Sequence, residues 1–560
     1  MLVKLHSQEV LNDFGSLQSQ LVLEKDLQQF FKVTPPSRIE SEFGEISGSA
    51  SHQFQYLNLV LKVIEELDVE PVQAFALLEA VRSIIYRKVF AVTSRFLGKT
   101  VLPGSKTSAL LFEAIEVFAR LTDTYDSIID EARHHGDSQV FIMGSAIHRA
   151  LSDKARLIQC YLQLYMDVPK GVWRHLGQLY RIAEDYNVFN QTMPDKLAFA
   201  DVTLNVRQIY LYIMLLAASG SRNLVVEDIA ALAEHLKDWV KLVSVRKYDP
   251  ASGELRLCMD PATMQVPALS CTLTEFPKSL FCFDFDKLVE KLQKTHVHQR
   301  FVDGARYTLP AWTTARILNN WTVYQERLAE RNPVAGEQTV RVSVGLNSAW
   351  QLAGLPATWP DDDDSLGDDF SERKLDFSLG GQAPPLAAIE ALPDGNGVPV
   401  FTPRVVDSSS TGFCLEWQQQ SSSALSVDEL VILQDPADGR CKLGQVVWIR
   451  YLSRNCCQTG ISILSNGVIP VLMRTVLTRP GRAAEYGRLM KGFVISNPVG
   501  ARQHFGILME NIGLPAGQVL VLRQGDAEAG HTARLLEPLN RNGKYQSFNM
   551  AFFEPSRERG

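Results

Sequence analysis

Residues 404–416 read Arg404-Val-Val-Asp407-Ser-Ser409-Ser-Thr-Gly412-Phe-Cys-Leu-Glu416, an Asp-x-Ser-x-x-Gly run set between two stretches of strand-forming residues. Strand patterns surround it at Val398–Val406, Gly412–Trp417, Glu429–Leu433, Leu443–Arg450 and Gly460–Leu464, separated by turn clusters such as Asp435-Pro-Ala-Asp-Gly439. Five or six short strands in roughly 70 residues predict a small antiparallel barrel.

Toward the N-terminus, Val340, Val342 and Val344 alternate with Arg341 and Ser343, the period of a half-buried strand. Between that strand and Val398 the chain is rich in Asp, Gly, Pro and Ser, including Asp361-Asp-Asp-Asp-Ser-Leu-Gly-Asp-Asp369. Such a segment lacks the apolar surface to order itself, so 355–397 is expected to be an acidic loop inserted in the barrel. Toward the C-terminus, strand patterns at Ile469–Leu477, Leu489–Ile495, His504–Met509, Gln518–Arg523, Thr532–Leu536 and Ser547–Phe553 predict a further small β module.

The other half has a different period. From Phe54 to Asn190 apolar residues recur at three and four positions, as in Phe75, Leu78, Val81, Ile84, Ile85, and in Leu110, Leu111, Ile115, Phe118, Leu121. The segment from Gly171 to Asn187, opened by Pro169, reads as one helix of an antiparallel pair, with Trp and Tyr spaced as in a tetratricopeptide helix, although no second copy follows at that repeat length. Two alternating runs around Pro250-Ala-Ser-Gly253 predict a hairpin near 243–260. Helix is expected to resume at Leu288–Leu292 and at Trp312–Arg331.

The expected fold class is therefore multidomain α + β: an all-helical N-terminal domain (1–310), an antiparallel β-barrel (311–475) and a C-terminal β module (476–560). A chain of 560 residues is too long for one core, which agrees with several folding units.

Three runs carry a family pattern. The Asp-x-Ser-x-x-Gly strand pair is followed by Leu443-Gly-Gln-Val-Val-Trp448-Ile-Arg450 and then by Gly460-Ile-Ser-Ile-Leu464. In this order and spacing they resemble the PilZ domain, a family of cyclic-di-GMP receptors. That family also carries Arg-x-x-x-Arg upstream, but Ala383–Pro399 contains no arginine. The spacing occurs instead at Glu326-Arg327-Leu-Ala-Glu-Arg331-Asn-Pro333, before the acidic loop, so the two halves of one site are expected to be split in sequence.

The resemblance implies cyclic di-GMP as ligand, with Arg327 and Arg331 supplying guanidinium forks for phosphate and for the guanine O6/N7 edge. Asp407 would accept from the guanine N1 and N2 donors, Ser409 would donate to phosphate, and Gly412 would let the backbone turn tightly. Arg404 and Arg450 are further candidates, Arg404 with the alternative of pairing with the acidic loop. Other readings stand beside these: Arg327 and Arg331 as a solvated, salt-bridged helix face beside Glu326 and Glu330, and Asp407, Ser409 and Gly412 as turn residues only.

Other chemistry finds little support. Gly98-Lys-Thr lacks the glycine of a phosphate-binding loop, since position 93 is Thr. His134-His135 with Asp130 and Glu131 reads as a solvated helix end rather than a metal site, and no nucleophile elbow or His-Glu-x-x-His occurs. The eight cysteines form no Cys-x-x-Cys pair and are expected to be reduced thiols. Cyclase and phosphodiesterase signatures of the Gly-Gly-Asp-Glu-Phe and Glu-Ala-Leu types are absent. The expectation is no catalytic residue, no metal and no cofactor.

A net charge of −7, a pI near 5.9 and a mean hydropathy of −0.05 argue against a nucleic-acid polymer as partner and for an ordinary soluble composition. The opening Met1-Leu-Val-Lys-Leu-His6 has no leader pattern, and Ile209–Ala218, the longest apolar run, falls short of a membrane span. The expected setting is cytoplasmic, with recruitment to a cell pole or envelope machine. The resemblance implies a bacterial effector in type IV pilus assembly, motility, attachment or biofilm formation, with a protein partner, in the pilus or flagellar machinery, held by the helical half. The alternative is a ligand-free, degenerate barrel acting as an assembly scaffold.

Overall fold

Helical periodicity gives way to strand alternation after residue 330, and the fold follows that change. The structure, a computed structural model, describes residues 17–43, 46, 48–96, 105–261, 265–294, 297–302, 305–324, 330–334, 336–353, 399–418, 425–434, 441–453, 456–477, 485–497, 504–524 and 531–552. The chain divides into two compact units, Met1–Glu326 and Arg327–Gly560.

In the first unit, helices α1 (Leu17–Val33), α2 (Pro36–Phe43), α3 (Ala50–Glu65), α4 (Pro71–Phe96), α5 (Ser105–His134), α6 (Val140–Gln163), α7 (Lys170–Asp185), α8 (Val206–Ala217) and α9 (Val226–Trp239) form a bundle. Proline opens α4 at its first position, where the missing N–H is not needed. A reciprocal capping box, Asn205 with Gln208, starts α8. Helix α6 is buried on nearly every side, through Ala146, Ile147, Ala150, Leu151, Leu157 and Ile158 and also through His148, Ser152, Asp153 and Lys154. Buried polar groups of this kind persist only when paired, and they are. The helices range from 8 to 30 residues, so no uniform tetratricopeptide-like repeat organises the unit.

The expected hairpin near 243–260 does not form. Strand β1 (Ser244–Lys247) pairs with β4 (Phe281–Asp284), which lies between β1 and β2 (Leu257–Met259); β3 (Ala268–Leu269) completes the sheet. The Pro250 turn is a separate 3-10 turn in which Asp249 accepts from the Ala251 N–H, while Cys258, Leu280 and Cys282 build a small core that only β4 can complete. After α10 (Asp286–Gln293) and the hairpin β5 (Val297–Val302) and β6 (Ala305–Pro310), helix α11 (Ala311–Thr322) docks back on the bundle. Its Trp321 Nε1 donates to the Leu215 carbonyl at 3.2 Å and Asn320 Nδ2 to the Ser219 carbonyl at 2.8 Å. Residues 311–322, expected with the barrel, therefore belong to the helical unit.

The second unit holds two closed barrels. In the first, β7 (Asn332–Pro333) and β8 (Arg341–Val344) run successively along one neighbour, β9 (Arg404–Ser409), and the sheet continues through β10 (Gly412–Gln418), β13 (Cys456–Ser465), β12 (Cys441–Ser453) and β11 (Leu430–Gln434) back to β8. Bridges Thr339–Arg404 and Val342–Phe401 close the cylinder into a six-stranded antiparallel barrel. Val342, Val405, Leu415, Trp417, Val431, Ile449 and Thr459 point inward and are buried. The acidic loop 355–397 lies outside the described residues; α12 (Leu346–Ala353) precedes it. The second barrel comprises β14 (Val468–Leu477), β16 (Met490–Asn497), β17 (His504–Glu510), β18 (Val519–Arg523), β19 (His531–Arg541) and β20 (Tyr545–Phe552), with a short β15 (Glu485–Tyr486) on its edge. Since β14 belongs here, the second module starts at 468, not at 476.

Candidate functional site

The helix expected over Trp312–Arg331 ends at Thr322, and Arg331 lies outside any helix, just before β7. Pro333 contributes by disfavouring helical backbone at Asn332, the residue that precedes it. Asn332 pairs with Ser408 and Pro333 with Asp407, which brings Arg331 beside the Asp-x-Ser strand across 76 residues of sequence. Arg331 Nη1 donates to Asp407 Oδ1 at 2.7 Å, with both side chains about one quarter exposed. The helix-face reading of Arg331 is thereby corrected. Arg327 lies outside the described residues.

Strict alternation would place Arg404 and Asp407 on opposite faces of β9. A bulge prevents that: Cys414 faces Asp407 and Leu415 faces Val405, leaving Val406 as the extra residue. Arg404, Asp407 and Ser409 thus share the outer face. Following the register across the sheet gives one row Asp407–Cys414–Gly460–Trp448 and a second row Arg404–Glu416–Gln458–Arg450. The signature strands therefore supply neighbouring positions on a single surface.

Contacts within this face are specific. Arg404 Nη2 donates to Glu416 Oε1 at 2.9 Å and Gln458 Nε2 to Glu416 Oε2 at 3.2 Å. Arg404 thus has Glu416 as its ion-pair partner among the described residues. A Cβ on Gly460 would lie 1.9 Å from Trp448 Nε1, so the indole lies across this glycine. The Trp-x-Arg and Gly-Ile signatures are one packing arrangement. Gly412 does not occupy the left-handed region; a Cβ there would meet the Ile461 carbonyl oxygen at 2.4 Å, so its role is close strand approach and not the tight turn expected of it. Ser409 accepts from the Thr411 N–H at 3.3 Å in the two-residue turn. Burial, reinforced by Asp407, pushes the Cys414 thiol up to about 11, so it stays protonated between them.

The arrangement offers a partly exposed guanidinium–carboxylate pair, an indole surface, and a second row in which Arg404 and Arg450 flank Glu416 and Gln458. Trp448, Glu416, Gln458 and Gly460 were not singled out as site residues by sequence. The available signal was the shared side-chain parity of the strands once paired.

One other polar cluster was not legible. Asp123 and Asp126 on α5 meet His175 on α7: Nδ1 lies 3.2 Å from Asp123 Oδ1 and Nε2 2.6 Å from Asp126 Oδ1. Only imidazolium has a donor for each. Lys154 Nζ reaches Asp123 Oδ1 at 3.1 Å and Thr122 Oγ1 at 2.9 Å, so two cations balance two carboxylates and staple three helices. Burial works against the charged imidazole, but the two carboxylates outweigh it and raise its pKa; Asp123, penalised by burial yet bonded by His175 and Lys154, is held at about 2.

A pH dependence follows. The His175 contribution is full below its unfolded pKa of about 6.5 and is lost as pH rises through its raised folded value. The Asp123 contribution is present above about pH 4 and is lost as pH falls toward 2. The gap in thermal midpoint between the intact protein and His175→Gln should therefore narrow as pH rises above roughly 7. A gap that widens there contradicts the assignment.

Comparison with known proteins bears on both halves. Residues 48–250 match the family described as "Cyclic-di-GMP receptor FimW, N-terminal domain", and residues 387–470 match "Cyclic-di-GMP receptor FimW, middle PilZ domain". The protein named cyclic-di-GMP receptor FimW of Pseudomonas aeruginosa is 24% identical over 406 residues, 65% of this chain and 65% of that protein, so the match spans slightly less than two thirds of the relative. A crystal structure of the insecticidal delta-endotoxin Cry8Ea1 from Bacillus thuringiensis, 10% identical, covers 95% of this chain and 72% of its own with a TM-score of 0.18, which carries no structural argument. The PilZ match begins at 387, beyond Arg331 and β7, so their place in the barrel rests on strand pairing.

Proposed function

Because this chain carries a PilZ domain behind a helical region of the FimW N-terminal type, we propose that it is a cyclic-di-GMP-binding effector and that Arg327, Arg331, Asp407 and the outer face of the first barrel hold the ligand. The observation that carries this reading is the Arg331–Asp407 pair, which joins two signature segments separated by an inserted loop. A partly exposed pair of this kind is worth at most about 1 kcal/mol, so exchange for ligand is inexpensive. The freed guanidinium forks a phosphate or a guanine O6/N7 edge, and the freed carboxylate accepts from guanine N1 and N2. Trp448 offers a flat apolar surface to a base, while Arg404 and Arg450 extend positive charge along the next row.

In the sequence, Arg327 and Arg331 fall between the last helix of the first unit and the first strand of the barrel. Ligand gripping Arg327 and Arg331 fixes the segment joining helical unit to barrel and changes what the helical unit presents to a protein partner, to the extent that the ligand's affinity differs between the two arrangements. The chain is read as a binding protein that needs no cofactor and works in the cytoplasm beside a surface machine governing pili, motility or attachment. No helix among the described residues is long and apolar enough to cross a membrane.

Calorimetric titration of cyclic di-GMP into the intact chain tests this. Saturable binding, with GMP and cyclic GMP much weaker, is expected. Absence of heat with folded protein would overturn it and favour the ligand-free scaffold.

A further inference from the structure

The two barrels repeat one topology. Numbered along the chain, the strands of each follow the cyclic order first, second, third, sixth, fifth, fourth, all antiparallel, with β7/β8, β9, β10, β11, β12 and β13 in one and β14, β16, β17, β18, β19 and β20 in the other. The correspondence extends to register. Where the first barrel places Asp407, Cys414 and Gly460 side by side, the second places Ile495, Gly506 and Asn549; where the first has Arg404, Glu416 and Gln458, the second has Phe493, Leu508 and Ser547. No Asp occurs anywhere in 490–510, so Asp-x-Ser-x-x-Gly is missing from the equivalent hairpin.

The replaced positions are not idle. Interior parity in the second barrel belongs to Met490, Val494, Ile507 and Met509, which form its own core. Phe493, Ile495 and Leu508 point outward yet are at most 4% exposed, because they pack with Leu430, Ile432 and Leu443 of the first barrel around Ala349, Trp350 and Leu352 of α12. Trp350 Nε1 donates to the Val471 carbonyl at 3.1 Å, and Lys491 Nζ lies 5.0 Å from the Trp350 ring centre. Asn542 Nδ2 and Lys544 add polar ties to the Asp428 carbonyl and Glu429.

We propose that residues 468–552 form a second barrel of the receptor pattern whose nucleotide-facing surface has become a permanent docking surface for the first barrel, leaving the chain one nucleotide face. The ligand half of this statement rests on the function proposed above; the docking half does not. The three charged positions of the first barrel, Arg404, Asp407 and Glu416, are apolar in the second, as Phe493, Ile495 and Leu508, and burying an unpaired guanidinium or carboxylate in such a contact would be prohibitive. The change of residue type is what the change of role requires.

Hydrogen exchange with mass spectrometry on the intact chain separates the two halves. Without ligand, Phe493→Ala should speed exchange roughly hundredfold in 346–353 and 430–434 of the first barrel as well as in 490–510, as a cavity in a shared core does. Phe493→Leu, which keeps an apolar group, should give a smaller change in the same segments and covers the case in which alanine unfolds the unit. Acceleration confined to 490–510 in both variants overturns the docking assignment. With cyclic di-GMP held near the wild-type Kd, protection should rise in 404–416 and 448–460 and be largely lost in Arg331→Ala. Ligand protection of 490–510 that survives in Arg331→Ala overturns the single-face assignment, whereas no protection anywhere sinks the proposed function and leaves docking to the ligand-free comparison.

Discussion

Arg331→Ala is expected to weaken cyclic-di-GMP binding at least about 30-fold, since truncating one member of a charge-assisted contact to phosphate or guanine typically removes 2 kcal/mol or more. The folded protein should scarcely notice: the Arg331–Asp407 pair is partly exposed, and its loss should shift unfolding by less than about 1 kcal/mol. This separation of binding from stability is what identifies a ligand residue. Arg331→Lys should recover little, because a point charge does not reproduce a planar fork. Asp407→Asn should also weaken binding, and the double variant should lose less than the sum, as both residues face the same ligand and release each other when it arrives. Calorimetry supplies the affinities and chemical unfolding the control. Unchanged binding in Arg331→Ala, with binding lost in Arg404→Ala, would move the site to the Arg404–Glu416–Gln458–Arg450 row.

Much of the barrel could be read in advance because strand alternation is local: Val340, Val342 and Val344 announce their strand without reference to any partner. Pairing is not local. Nothing in the period of residues 243–259 says that β4, more than twenty residues further on, will come between the two runs, and the buried Cys258–Leu280–Cys282 contact decides it. The site shows the same division. Asp407 and its signature were legible as a run of residues, and Arg331 as a spacing, but their meeting depended on β7 pairing with β9. Arg404 joins them on one face only because Val406 bulges, an irregularity that no periodic reading anticipates. The His175 staple escaped for a related reason, since its members come from three helices. The second barrel's strands were visible individually, whereas their repetition of the first barrel's order emerged only from the pairing.

The largest stability change should come from Arg82, in the helical unit. Its side chain is 2% exposed and grips two carboxylates: Nε meets Asp153 Oδ1 and Oδ2 at 2.9 and 3.0 Å, while Nη1 and Nη2 meet Asp195 Oδ1 and Oδ2 at 3.0 and 2.7 Å. Tyr86 OH donates to Asp153 Oδ1 at 2.7 Å, and Arg149 Nη1 lies 3.3 Å from Asp195 Oδ2. Burial alone would raise both carboxyl pKa values; the two guanidiniums overcome it at Asp195, which is lowered, whereas burial prevails at Asp153, which is raised. Arg82→Ala removes the shared cation, strands Asp153 and leaves Asp195 with Arg149 alone, so a loss of about 3–5 kcal/mol is expected, a large fraction of a typical unfolding free energy. The sign with pH is definite. The lowered Asp195 stabilises the wild type above the unfolded carboxyl pKa near 4, and that stabilisation fades as pH falls through its folded value. In Arg82→Ala the stranded carboxyls protonate more readily, so the gap between variant and wild type should shrink from pH 7 to pH 4. Adding Asp153→Asn should recover part of the loss at pH 7 by removing one uncompensated charge. Denaturant unfolding followed by helical circular dichroism measures each quantity, and a loss below about 1 kcal/mol at pH 7 would mean that water or a shifted helix compensates the carboxylates. The same network explains how α6 can be buried with Asp153 inside it: a helix carrying that charge is excluded from a core until Arg82 of α4 meets it, so helix packing and charge pairing form together.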